Sequence, residues 1–284
     1  MKVRNQLLAS GHQVSVSKLC RWLGLSRSTA YYQPKTRSNH RPVDEEMASK
    51  INTIIEEEPS CGVRGVWSRL RFRDGIAVNR KKVHRIMRLK GWTVRQRRQG
   101  KRPRAKAMKS IASRPNERWA TDIALVNCGE DGWCAFVPVV DCCTRECLGW
   151  ALEQTARAKT AERALEEALL ARFGWLWGAP TGMALRHDNG LVFGSRKYRA
   201  LTKDYGITQE YTAPYTPEQN GLCERFIRTF KEELCWNRRF RDLDHARAET
   251  RKFITRYNTE RPHQALDYLT PTQEYQNQCE RQAA

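Results

Sequence analysis

The chain has 284 residues, 40% hydrophobic and 29% charged, enough for two or three domains and at least one sizeable core. No apolar run approaches the roughly 18 residues of a membrane helix, and the start MKVRNQLLASGHQV lacks a secretory apolar region, so a cytoplasmic, nucleoid-associated protein with no membrane partner is expected. The net charge of +20 is unevenly placed, with 29 Lys/Arg against 8 Asp/Glu in residues 1–118 and 22 against 23 beyond, which favours a polyanion such as nucleic acid at the front of the chain.

In chain order, VSVSKLCRWLGLSRSTAYYQP (14–34) reads as two short helices about a tight turn. Val16, Leu19, Cys20 and Leu23 form the inward stripe, Gly24 the turn and Ser26 the cap. This is a helix-turn-helix pattern that offers Arg27, Ser28, Thr29 and Tyr31 to DNA. Three further helices follow, over 43–59, 62–75 and 79–92. The last starts at the cap Asn79; Val83, Ile86, Met87 and Leu89 face inward, and Arg80, Lys81, Lys82, Arg85 and Arg88 cover the rest. So many like charges repel one another unless an anion is present. The stretch 96–116, with Arg97, Arg98, Lys101 and Arg102, has Gly, Pro and no apolar period, and reads as an extended basic linker.

From Trp119 the pattern changes. RWATDIALVNC (118–128), WCAFVPVVDCC (133–143) and ECLGWALEQ (146–154) are β-rich runs separated by turns, an antiparallel meander. A helix over 159–174, a strand over 183–188, a helix over 196–206, a strand over 207–213 and a long helix over 217–236 complete the order β-β-β-α-β-α-β-α. That is an α/β mixed sheet with the layout of the ribonuclease-H-like fold. The ten cysteines include no C-x-x-C pair and no accompanying His pair, so they read as reduced, packed thiols rather than zinc ligands.

Carboxylates within core elements are costly unless they hold a metal or a partner. Asp122 falls mid-strand, Asp188 ends the fourth strand in RHDNG, and Glu224 lies early in the long helix. Oxygen donors of this kind suit Mg²⁺, and a pair of ions about 4 Å apart clamps an in-line displacement at phosphorus. Each has a plainer reading beside it. Asp188 fits a turn, and Glu224 can pair with Arg228 at i+4. Asp141 competes as a fourth carboxylate but lies in a hairpin, and His187 reads first as a hydrogen-bonded neighbour of Asp188.

With 35 residues between the last two, Asp122, Asp188 and Glu224 resemble the DDE triad of retroviral integrases and related transposases. RHDNG, YTPEQNGLCERFIRTFKEEL and YNTERPHQAL resemble, more narrowly, the second-frame transposases of the insertion sequence 3 family, over residues 43–275. That resemblance implies an integrase-like catalytic core preceded by all-α helix-turn-helix modules. It also implies metal-dependent cleavage at transposon ends and strand transfer by 3′-hydroxyl attack, with Asp122, Asp188 and Glu224 holding two Mg²⁺, replaceable by Mn²⁺. Gln219, Asn220, Arg225, Arg228 and Lys231 would then line a DNA-facing side, sharing a face with Glu224 where the spacing is i+4 or i+7. The implied partners are double-stranded DNA carrying terminal inverted repeats, target DNA, further copies of the chain and an upstream-frame product. The expected organisation is 1–42 and 43–95 helix-turn-helix, 96–116 linker, 117–275 core and 276–284 tail. Two departures stand out: Asp267 in QALDYLTP, and no sustained heptad repeat. The alternatives are a DNA-binding regulator of transposition or a ribonuclease-H-like nuclease.

Overall fold

The structure, a computed structural model, describes residues 2–32, 42–94, 112–212 and 217–283. These form two compact units, Met1–Val43 and Asp44–Ala284. Among the described residues no helix is long and apolar enough to cross a membrane.

The first unit contains α1 (Lys2–Ala9), α2 (Val16–Trp22) and α3 (Arg27–Ala30). Ser15 Oγ accepts from Lys18 N at 3.3 Å and Ser26 Oγ from Thr29 N at 3.2 Å, satisfying donors that a helix start leaves orphaned. Gly24, at φ +63°, makes the turn between α2 and α3 in a region that suits glycine. Leu19 and Cys20 are buried, but Leu23 is 54% exposed. It is the C-cap of α2, beyond the stripe to which its spacing had assigned it.

The second unit opens with α4 (Glu45–Glu57), α5 (Val63–Ser68), a π turn (Arg69–Arg73) and α6 (Arg80–Leu89). Asp44 and Asn79 cap α4 and α6 through Met47 N at 3.0 Å and Lys81 N at 2.8 Å. Ile51, Ile54, Val66, Leu70, Val83, Ile86 and Met87 form the core of this domain. Leu89 is exposed, because two residues beyond Met87 is about 200° around the helix. The domain docks on the C-terminal part of its own unit. Phe72 stacks on Tyr268 at 4.8 Å, Trp67 meets the same ring edge-on at 5.3 Å, and Arg73–Glu260 and Arg256–Glu58 are ion pairs at 3.1 Å. Asp267 and Tyr268 both take left-handed backbone angles, φ +50° and +68°, so the residue that departs from the family pattern shapes the turn carrying this docking ring.

The sheet is built on β1 (Arg118–Thr121) and β2 (Ala124–Asn127), which run along β3 (Trp133–Asp141) in one continuous antiparallel register. They are a single strand interrupted at Asp122-Ile123. On the far side of β3 lies β4 (Cys147–Glu153). β5 (Ala184–His187) runs parallel beside β1, and β6 (Thr208–Tyr211) parallel beside β5. Three antiparallel strands, with two parallel ones added beside the first, make the ribonuclease-H-like sheet.

One face packs on α7 (Ala158–Phe173) through Trp119, Val139, Leu185, Ala164, Leu165 and Leu169. A Cβ on Gly149 would collide with Ala164 O and Ala168 N, so glycine is what lets α7 approach β4 this closely. Beyond β5 lies α8 (Arg196–Asp204). The other face carries a 3₁₀ turn (Pro217–Asn220), α9 (Gly221–Phe230), a π turn (Lys231–Cys235) and α10 (Leu243–Thr259), with Phe136 stacked on Phe230 at 4.2 Å. The last helix, α11 (Pro271–Ala283), takes in residues 276–283, so the expected tail is helical instead. All ten cysteines are free. Burial pushes several thiols up, Cys128 and Cys235 to about 12, as packed rather than reactive groups.

Candidate active site

Asp122 stands at the break between β1 and β2, and Asp188 directly follows β5. Trp119 is paired with Leu185 and Ala120 with Arg186. That pairing stops two residues short of each aspartate, so Asp122 and Asp188 follow the same ends of two neighbouring parallel strands. Ala120 and Ala124 both face the α9 side, and strand alternation puts Asp122 on that side as well. Ile123 N donates to Asp122 Oδ1 at 2.8 Å.

Glu224 lies in the first turn of α9, and the start of that helix is tied to both aspartate strands. Asn220 Nδ2 donates to Thr121 O at 3.2 Å, and Arg186 Nη1 to Gln219 O at 3.1 Å. Burial, followed by the charges of Asp188 and Glu224, lifts the Asp122 carboxyl to about 6, against the Ile123 hydrogen bond and Lys231. All three carboxylates thus share one electrostatic neighbourhood. Among the described residues, however, no three His, Cys, Asp or Glu side chains already converge as a metal-ligand cluster. Asp188 Oδ1 instead accepts from Gly190 N at 3.0 Å, so the turn interaction expected of it is present.

The competing groups are satisfied structurally. Asp141 is fully buried and accepts from Asn116 N at 2.8 Å, Cys143 N at 2.7 Å and Thr144 N at 3.1 Å, the hairpin role expected of it. His187 is fully buried, with Nδ1 2.7 Å from Asp188 O and its ring against Phe193 and Tyr211. Burial lowers its pKa, so it is a packed neighbour.

The residues expected at DNA divide by location. Arg27, Ser28 and Thr29 are exposed, with both hydroxyls within 2.8 Å of Ser26 Oγ. Arg80 and Lys81 are exposed on α6 and Arg85 is half-buried, whereas Lys82 pairs with Asp44 at 2.6 Å. Arg97, Arg98, Lys101 and Arg102 lie outside the described residues. Arg225 is exposed, and Gln219, Arg228 and Lys231 are half-buried, with Arg228 paired to Glu232 at 2.7 Å. Asn220 differs from its expectation. Only 4% exposed, it points inward, because its amide serves the Thr121 carbonyl.

Sequence reasoning passed over Arg118, Arg186 and Glu210. Arg118 Nε and Nη2 hold Glu210 at 2.8 and 3.0 Å, and Arg186 Nε and Nη2 hold it at 3.1 and 2.7 Å. The available signal was charge inside strands of a parallel pair, where apolar residues are the norm on both faces.

The Integrase core domain family matches residues 112–217 and, in a second form, 205–271; the HTH-like domain family matches 42–100. The insertion element IS407 31.7 kDa protein of Burkholderia multivorans is 31% identical over 262 residues, covering 92% of this chain and 90% of its own. The chain belongs to the insertion sequence 3 family of transposases. The transposase InsD of insertion element IS2 from Escherichia coli is 29% identical over 279 residues, 93% of this transposase and 91% of its own length. Among solved structures, the HTLV-2 integrase catalytic core domain in complex with magnesium aligns at TM-score 0.44 and 20% identity, over 57% of this chain and 98% of that one. The protein is a DDE-type DNA transposase, a polynucleotidyl transferase.

Proposed function

We propose that Asp122, Asp188 and Glu224 are the catalytic carboxylates and that they hold two Mg²⁺, with Mn²⁺ able to substitute. The observation that carries this reading is that Asp122 and Asp188 directly follow the same ends of two adjacent parallel strands, to both of which the start of the Glu224 helix is tied. The donor set fits the ions: the ligands are oxygen only, and burial first, then the charges of Asp188 and Glu224, raise the Asp122 carboxyl, so that a cation there would offset the crowded negative charge. When bound, two such ions stabilise the attacking and leaving oxygens of an in-line displacement.

The protein's own groups then bind and orient. Lys231, whose charge already acts on Asp122, reaches phosphates beside the carboxylates, and Arg225, Arg228 and Gln219 extend that side. Water cleavage at the element end frees a 3′-hydroxyl, which attacks a second phosphodiester; no side chain forms a covalent intermediate. Arg27, Ser28 and Thr29 of the first unit, and Arg80, Lys81, Lys82 and Arg85 on α6, grip double-stranded terminal repeats, aided by Arg97, Arg98, Lys101 and Arg102. Two ends and a target call for more than one copy at the nucleoid, with an upstream-frame product as a further partner. The organisation is 1–42, 43–95, a 96–116 linker and a core from 117; separate HTH-like (42–100) and integrase (112–217) matches support its division between the second helical domain and the core.

The test is strand transfer with labelled terminal-repeat DNA and Mg²⁺ or Mn²⁺, comparing the native protein with Glu224→Gln and Asp122→Asn. The expected result is joined product from the native protein alone, with DNA binding kept by all three. Equal joining by either variant would sink the assignment.

A further inference from the structure

Arg118, Arg186 and Glu210 form a compact charged cluster on β1, β5 and β6. The side chains of the two arginines are 19% and 16% exposed and that of Glu210 29%. Burial works to raise the Glu210 carboxyl, but the two guanidiniums outweigh it and hold it below the ordinary range. Arg118 lies four residues before Asp122 on the first strand. Arg186 lies two before Asp188 on the next. Both therefore share the strand face of their aspartate, and both grip one carboxylate on the third strand.

Arg186 does one thing more. While Nε and Nη2 face Glu210, Nη1 donates to the carbonyl of Gln219 at 3.1 Å, in the 3₁₀ turn that opens the Glu224 helix. A single planar guanidinium thus joins the Asp188 strand, the β6 carboxylate and the chain five residues before Glu224. Lysine has no fork and cannot span both partners at once.

We propose that Arg186 is a positioning residue whose guanidinium, braced by Glu210 and Arg118, sets the placement of the Glu224 helix relative to Asp188. The proposal rests on the carboxylate triad of the preceding section. A reacting geometry displaced by about 1 Å loses on the order of 100-fold in rate, so a brace of this kind acts on catalysis without touching DNA or metal.

The experiment compares the native protein with Arg186→Lys, Arg186→Gln and Glu210→Gln. It reads the single-turnover joining rate, the KM for terminal-repeat DNA, the Mg²⁺ concentration at half-maximal rate, and amide hydrogen exchange over residues 219–224 in metal-free protein. Arg186→Lys, which keeps the buried charge, is expected to lower the joining rate about 30-fold, within the range that misplacement produces. KM should be unchanged, the Mg²⁺ requirement higher, and exchange at 219–224 faster. Native exchange with a native Mg²⁺ requirement would overturn the proposal, even if the melting temperature fell. Should Arg186→Gln not fold, Arg186→Lys and Glu210→Gln decide. If Glu224→Gln joins DNA as well as the native protein, the triad reading fails, while the metal-free exchange comparison still decides for or against the brace.

Discussion

Asp141 ends β3 and Asp188 directly follows β5; both begin a turn and both accept backbone N–H groups. Three amides converge on Asp141, which is sealed from solvent, whereas Asp188 accepts from Gly190 N and is exposed. Asp141→Ala should therefore act on stability. It strands buried donors at about 1–3 kcal/mol, or several degrees of melting temperature, while joining persists well below the transition. Asp188→Ala should do the reverse, and a paired melting and joining assay separates the two. His263 gives a pH test. Burial first, then the charges of Arg261 and Arg145, push its pKa down to about 3, and its Nε2 meets no hydrogen-bond partner among the described residues. A folded pKa below the unfolded 6.5 means that the unfolded chain binds the proton first. Stability should then fall as pH drops from about 6.5 toward 3, at up to about 1.4 kcal/mol per pH unit for this one proton. Denaturation midpoints of the native protein and His263→Gln across that window measure it, with the slope reduced in the variant.

At the scale of elements, helical periods, caps and turn residues made most of the architecture readable: α4, α6, α7 and the order of the strands lie within a few residues of their expected places. The interruption of the first strand at Asp122 was not readable, because β3 continues opposite it without a break and the local residues remain strand-like. Nor was the division of the 217–236 helix into 3₁₀, α and π segments; the turn start depends on Asn220 meeting Thr121 of β1 and Gln219 meeting Arg186 of β5, both distant in sequence. The inward Asn220 was missed for the same reason: an Asn-Gly pair carries no mark of the carbonyl awaiting it. Gly149 is the element-level test. Gly149→Ala sets a methyl against the backbone of α7, which cannot yield as a side chain tip would. A loss of about 1–3 kcal/mol from overpacking should appear as a lower denaturant midpoint, without a change in DNA binding at low temperature.

Over the whole molecule, charge assigns the labour. Residues 1–43 hold eight Lys/Arg and no Asp or Glu, so this unit has no internal acidic partner and depends on counterions or phosphate. Removal of 1–43 should weaken binding to terminal-repeat DNA and flatten the dependence of log K on log salt, which scales with the phosphates neutralised. The melting of 44–284, a separate compact unit, should change little. Fluorescence anisotropy at several salt concentrations, beside a thermal melt, checks both; an unchanged salt slope would count against the first unit as a DNA contact.

The docking of Phe72, Trp67, Arg73 and Glu58 on Tyr268, Glu260 and Arg256 makes the second helical domain part of the catalytic body. A reading head fixed to a blade measures length. If α6 reads a groove as proposed, the cut should fall a set number of base pairs from the recognised sequence, whatever bases lie at the cut itself. DNA lengthened by half a helical turn between the two should therefore carry the scissile phosphate to the wrong side of the duplex, and by a full turn bring it back.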